Sequence, residues 1–343
     1  MCDQRIARGP TATIDPDLQL HLHQAQAAMD AFKADKAAAS HPDSPTVLTM
    51  DLQQTLPTPH IPTSEVFYLR QLWTYNFAVH LCDDHSAAMC VWPEHRASRG
   101  ADEIASCLLK ALPTLVKNKR KIIVWSDSCS GQNKNFRMMC FWNYIVQIGM
   151  FDDVKHKFFV PGHSMMDSDR DFGLIERRKK QIQYVYTHEG WMDVIKSARV
   201  RRPFVVIEML ASDFKDFSNL ESMCKRPKKL SDGSPIQIRK ITTINVQRHL
   251  PGILYFKYNY NAAVGTFTSV DIKKKNTSAI IVSDKYPMGR AIKSAKKADL
   301  QKLLKYIPPI HHQYFTQILM LEDGQDNRPD FLVSEDLSDE EDW

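Results

Sequence analysis

KIIVWSDSCSGQNKN, residues 121–135, decides how the rest of the chain reads. Ile122, Ile123, Val124 and Trp125 form a near-continuous apolar run of strand length, the pattern of a strand buried on both faces. The run ends at Asp127 and gives way to small polar residues. A helix then follows in NFRMMCFWNYIVQIGMF (135–151), which is apolar on most sides. A carboxylate at the end of a buried strand either closes a local turn, here with Ser128 and Cys129, or works with other acids.

The segments around it supply candidates. TVLTMDL (46–52) is a short β-branched strand carrying Asp51 near its end. In FYLRQLWTYNFAVHL (67–81), Phe67, Leu69, Trp73, Tyr75, Phe77, Val79 and Leu81 share one face opposite Arg70, Thr74, Asn76 and His80, which predicts a half-buried antiparallel strand. The turn DDHS (83–86) leads into the returning strand AAMCVW (87–92). Ser98 is the expected N-cap of an amphipathic helix whose apolar positions are Ala101, Ile104, Ala105, Leu108, Leu109 and Leu112. Downstream, HKFFVPGH (156–163) reads as a strand and DRDFGLIERRKKQI (169–182) as a helix.

The resulting order is strand, strand, strand, helix, strand, helix, strand, helix. It predicts a mixed α/β fold and resembles RNase H-like nuclease domains, with three antiparallel strands, then two parallel strands joined through helical crossovers. Such domains bring acids from the first strand, the end of the fourth strand and the last helix around two divalent metals, Mg²⁺ or Mn²⁺, which require hard oxygen ligands. Asp51 and Asp127 occupy the first two places. For the third, the residues alone do not choose among Asp167, Asp169, Asp171 and Glu176. Each acid also has a local reading, as a helix cap, an Asx turn or an i,i+4 ion pair.

A resemblance adds to this reading. DLQQTLPTP (51–59), FYLRQLWTYNF (67–77), ASRGADEIASCL (97–108), SDSCSGQNKN (126–135), FFVPGHSMMDSDRDFGLIE (158–176) and YIPPIHH (306–312) together resemble a large group of animal proteins derived from mobile elements. These carry a DDE-type, RNase H-like transposase domain. The resemblance implies Asp51, Asp127 and Asp169 as the metal-binding catalytic acids, with Asp171 the alternative third acid, and metal-dependent phosphodiester hydrolysis or strand transfer on DNA. The alternative is a non-catalytic nucleic-acid-binding or protein-interaction protein that retains the fold. The segment before the first strand holds a polar helix without zinc-finger cysteines or a helix-turn-helix, which leaves an inactive or truncated copy open.

Candidate nucleic-acid contacts lie beside the acids. Gln132, Asn133, Lys134 and Asn135 sit at a helix start where amides and a lysine meet phosphates, and His163 and Arg170 flank the third acid. The net charge is +5, yet SEDLSDEEDW (334–343) holds six acids and no base, which leaves +11 on the preceding residues. Basic clusters recur at 117–121, 176–180, 196–202, 225–229 and 273–275, compatible with phosphate contact or nuclear import.

The domain expectation is a polar helix and linker at 1–45, the RNase H-like core at 46–184, a smaller C-terminal α+β region at 185–325 with a basic linker near 224–235, and a disordered acidic tail at 326–343. Tyr255, Phe256, Tyr258 and Tyr260 alternate along one expected strand, a pattern of core aromatics or of base-stacking residues. No apolar run spans a membrane, the start lacks a secretory signal, and the seven cysteines include no CxxC pair. An intracellular, nuclear protein with DNA as partner is expected, and a homo-oligomer is compatible with the chain. Walker A, GxGxxG and GxSxG motifs are absent, which removes support for nucleotide-hydrolase, dehydrogenase and serine-hydrolase readings.

Overall fold

The structure, a computed structural model, describes residues 15–230, 232–261, 267–274 and 282–320; Cys2, Lys275 and the acidic tail lie outside them. Helix α1 (Pro16–Ala39) starts where Asp15 accepts the Asp17 amide at 3.1 Å and proline takes the first turn, where its missing N–H costs nothing. There follow β1 (Thr46–Leu52), β2 (Leu56–Thr58), β3 (Leu72–Leu81), β4 (Ala87–Pro93), α2 (Ala101–Leu115), β5 (Lys121–Ser126), α3 (Phe136–Gln147), β6 (Asp153–Phe158) and α4 (Asp167–Lys179). Then come α5 (His188–Ser197), β7 (Val205–Glu208), β8 (Lys215–Asp216), α6 (Ser218–Met223), β9 (Thr243–Gln247), β10 (Ile253–Lys257), β11 (Thr268–Asp271), β12 (Ser283–Asp284), α7 (Ser294–Leu303) and α8 (His312–Thr316).

The expected mixed α/β architecture is present, with a large central sheet flanked by helices. Ten strands form one sheet in the order β11-β10-β9-β6-β5-β1-β3-β4-β7, with β2 paired to β3. Strand β3 runs antiparallel to β1 and β4, whereas β5 and β6 run parallel to β1 and to each other. The parallel connections pass through α2 and α3, as parallel pairing requires a crossover.

Alternation along the strands separates the two faces. Leu48 and Met50 of β1, Phe77 and Val79 of β3, and Ile122 and Val124 of β5 join α2 and α3 in the main core. On the other face α1 inserts Phe32 against Val47, Ile123, Trp125 and Phe159. There α4 and α5 bring Ile175, Trp191 and Ile195 onto Ala78, Met89 and Val91. A fully buried aromatic such as Phe77 contributes about 2–3 kcal/mol by leaving water.

Several expectations are corrected. The strand expected from Phe67 begins at Leu72; Ser64–Tyr68 is a 3₁₀ helix, and Phe67 is 93% exposed. Strand β3 is buried on both faces, because α4 and α5 cover its polar side. Helix α2 starts after Gly100, whose amide donates to Glu103 at 2.7 Å; Ser98 is not its cap. Strand β6 lies earlier than expected, at Asp153–Phe158. The segment after residue 184 adds β7 to one edge of the central sheet and β9 to β11 to the other, and its β8 and β12 pair as a two-stranded sheet. Within it Phe256 is core, and the Tyr260 hydroxyl lies within hydrogen-bonding distance of the Phe158 and Thr242 carbonyls while its ring stacks on Trp125.

Candidate active site

Strand register brings the first two acids together. Thr49 pairs with Trp125 across the parallel β1 and β5, and Asp51 and Asp127 each lie two residues further along, on the same face. Helix α4 crosses that face and supplies Asp169 from its first turn, where the carboxylate accepts the Met166 amide at 2.7 Å. The three carboxylates repel one another. Burial first, then the charges of Asp127 and Asp169, push Asp51 up to about 7, against the opposing Leu52 amide bonded at 2.8 Å. Burial and the charges of Asp127 and Asp167 likewise raise Asp169, against the Met166 amide. Among the described residues none of the three has an ion-pair partner within 4.0 Å, although the chain carries 45 lysines and arginines.

Asp127 is held from two sides. Its Oδ1 accepts the Asn133 side-chain amide at 2.6 Å and the Cys129 backbone amide at 3.1 Å. Its backbone is fixed by a chain of bonds in which each proton has one place. The Trp142 indole donates to His156 Nδ1 at 2.9 Å, so His156 carries its proton on Nε2 and donates to Ser126 Oγ at 2.9 Å. Ser126 then donates to the Asp127 carbonyl at 2.8 Å. Burial, with the Lys134 charge adding, lowers His156 to about 3, which keeps it neutral.

Two further bridges seat α4 on the polar side of β1 and β3. His80 Nδ1 donates to Asp171 at 2.6 Å, and Arg199 donates to the other Asp171 oxygen at 3.2 Å. Asn76 donates to Gln53 at 2.8 Å, and Gln53 donates to Glu176 at 2.9 Å. Asp171 and Glu176 are therefore committed to holding the helix, and Asp167 to Lys36 of α1 at 2.6 Å, which leaves Asp169 as the acid of α4 in electrostatic reach of Asp51 and Asp127.

The expected phosphate-binding run turns inward. Asn133 is 2% exposed on Asp127, and Lys134 is 7% exposed, donating to the Arg239 carbonyl at 2.7 Å and lowered to about 8 by burial. Asn135 caps α3 by accepting the Met138 amide at 2.8 Å, and Gln132 is partly exposed beside it. His163 packs its ring 5.2 Å from that of His21 on α1. Arg170 faces solvent, its side chain 82% exposed and 3.5 Å from Asp167. Sequence reasoning did not find Ser126, Trp142, His156, Gln53, Asn76 or Arg199; polar side chains at buried strand positions were the available signal.

The oxygens of the three acids are spread wider than one compact ligand shell. Among the described residues only His188, Glu189 and Glu208 bring three such atoms within 4.8 Å. That cluster is an ion-pair knot, since Arg96 also binds Glu208 at 2.7 Å and Tyr314 lies 3.3 Å from His188.

A family model described as "Domain of unknown function (DUF7869)" matches residues 78–256, more than half of the chain. The chain belongs to this family. The DUF7869 match takes in Asp127, Asp169 and the residues that hold Asp127, while Asp51 precedes it. No curated protein and no solved structure matches the chain. No helix among the described residues is long and apolar enough to cross a membrane.

Proposed function

We propose that this DUF7869 protein is an RNase H-like, transposase-derived enzyme that cleaves or transfers phosphodiester bonds of DNA with two divalent metals. The observation that carries the reading is that Asp51, Asp127 and Asp169 lie within electrostatic reach of one another, without an ion-pair partner among the described residues and with Asp51 pushed up to about 7. It is supported by the order β4-β3-β1-β5-β6, whose strand directions are those expected of an RNase H-like core.

The donor set fits Mg²⁺ or Mn²⁺. All three side chains offer hard oxygens, and the cluster is short of positive charge. Asp51, Asp127 and Asp169 would hold the ions, which when bound supply charge to the attacking and leaving oxygens of an in-line displacement by water or a 3′-hydroxyl. The chain contributes the geometry. Asn133 and the Cys129 amide fix one oxygen of Asp127, the His156–Ser126 relay fixes its backbone, and the Asp171 and Glu176 bridges fix the helix that carries Asp169. Exposed Arg170 offers a cation to substrate phosphate beside Asp169. On this reading the protein works in the nucleus.

The test is nicking of supercoiled plasmid DNA in Mg²⁺ or Mn²⁺, with single-stranded RNA and an RNA–DNA hybrid in parallel. Metal-dependent cleavage that falls at least about 100-fold in Asp127→Asn is expected. Cleavage confined to RNA would keep the metal chemistry and change the substrate. Binding without cleavage would assign the fold to holding nucleic acid.

A further inference from the structure

On the opposite side of the sheet, a cavity of about 270 Å³ opens between α3, α6 and the end of β11, with Cys140, Cys224, Asn143, Lys273 and Lys274 in its wall. Cys140 of α3 is buried, whereas Cys224, the residue that ends α6, is partly exposed, and both line this cavity where α3 packs against α6. We propose that Cys224 and Cys140 form a thiol-modification site for small peroxides, with Cys224 as the attacking and Cys140 as the resolving sulfur.

The chemistry of the neighbours supports this assignment of roles. Cys224 is the sulfur a solute can reach, and the neighbouring Cys140 thiol, with the Lys274 ammonium adding, holds it below the usual range against its burial. Cys140 is buried, and burial raises it. Cys129 is the other partly exposed thiol among the described residues, and it is not in the wall of this cavity. Cys90 and Cys107 form a second close pair, but both lie fully buried in the main core, where no peroxide reaches them.

In the first step the Cys224 thiolate attacks one peroxide oxygen. An S–O bond forms, the O–O bond breaks and hydroxide leaves; sulfur loses the two electrons that the peroxide gains. The Cys140 thiol then attacks the Cys224 sulfur, the S–S bond forms, and the sulfenic oxygen leaves as water with the Cys140 proton. The product ties α3 to the segment after α6.

The experiment treats the whole protein with hydrogen peroxide, blocks remaining thiols and maps peptides without reduction. A Cys140–Cys224 disulfide is expected, forming at least about tenfold faster than any oxidation of Cys129, with Cys90 and Cys107 still reduced. In Cys140→Ser, Cys224 should instead accumulate as a sulfenic acid trapped by a 1,3-dicarbonyl reagent, and in Cys224→Ser, Cys140 should stay reduced. Oxidation of Cys129 ahead of the pair, or no trapped adduct on Cys224 in Cys140→Ser, would overturn the proposal.

Discussion

The side-chain amide of Asn133 lies 2.6 Å from Asp127 Oδ1, and Asn133 is itself almost wholly buried. The contact makes Asn133 a support for the carboxylate, where the sequence had suggested a phosphate ligand. Asn133→Ala should weaken Mn²⁺ binding about tenfold, the usual scale for removing a residue that orients a ligand. It should leave the salt dependence of DNA binding unchanged, since no phosphate contact is lost. Titrations of metal and of DNA at two salt concentrations check both points.

Asp51 carries a pH signature. Its folded value, about 7, stands above the ordinary 3.8, so the proton it retains stabilises the fold at low pH, and this contribution is lost as pH rises through 7. Without divalent metal, Asp51→Asn should therefore be more stable than the wild type at pH 8, by about 2 kcal/mol once partial exposure is allowed for. The difference should vanish near pH 4. Urea denaturation across that range measures it.

His156 has the opposite sign. Its value is depressed from 6.5 to about 3, so the unfolded chain takes up a proton first and stability falls as pH drops through that window, by up to about 1.4 kcal/mol per pH unit. His95, also lowered to about 3 by burial, adds a second such group. His156→Gln should lose about 2–3 kcal/mol at pH 7, because it breaks bonds to Trp142 and Ser126 in the interior, and should show a shallower acid limb. Chemical denaturation of both proteins from pH 4 to 7 separates the two effects.

Asp169 and Asp171 sit two residues apart and should fail in different ways. Asp171→Asn removes the charge facing His80 and Arg199 in a buried site and should cost about 2–4 kcal/mol of stability. Mn²⁺ affinity of the folded protein should be kept. Asp169→Asn should lose metal affinity and keep stability. Denaturation and metal titration of the two variants form the comparison.

What the sequence disclosed follows from the range of the forces involved. Strands β1, β3, β4 and β5 are marked by local apolar pattern and helix α2 by its periodicity, and Asp51, Asp127 and Asp169 stand out because an acid at a strand end or helix start breaks an apolar pattern. The 3₁₀ helix at Ser64–Tyr68 was hidden because Phe67 and Leu69 continue the alternation of β3. The segment is instead tied through Glu65 to Lys305 and Tyr306, some 240 positions away. Likewise, nothing local tells β9 that it will pair with β6, or β7 with β4. The inward turn of Asn133 and Lys134 had the same cause, since a polar run reads as surface until its partners, Asp127 and the Arg239 carbonyl, are placed.

The most direct test of the metal site is calorimetric titration of Mn²⁺ into the wild type and into Asp127→Asn at pH 7.5, with thermal unfolding of both. Saturable binding to the wild type, accompanied by a rise in Tm, and the loss of both in the variant are predicted. An absence of Mn²⁺ binding by the wild type, or equal binding by the two proteins, would contradict the assignment of Asp51, Asp127 and Asp169 as metal ligands.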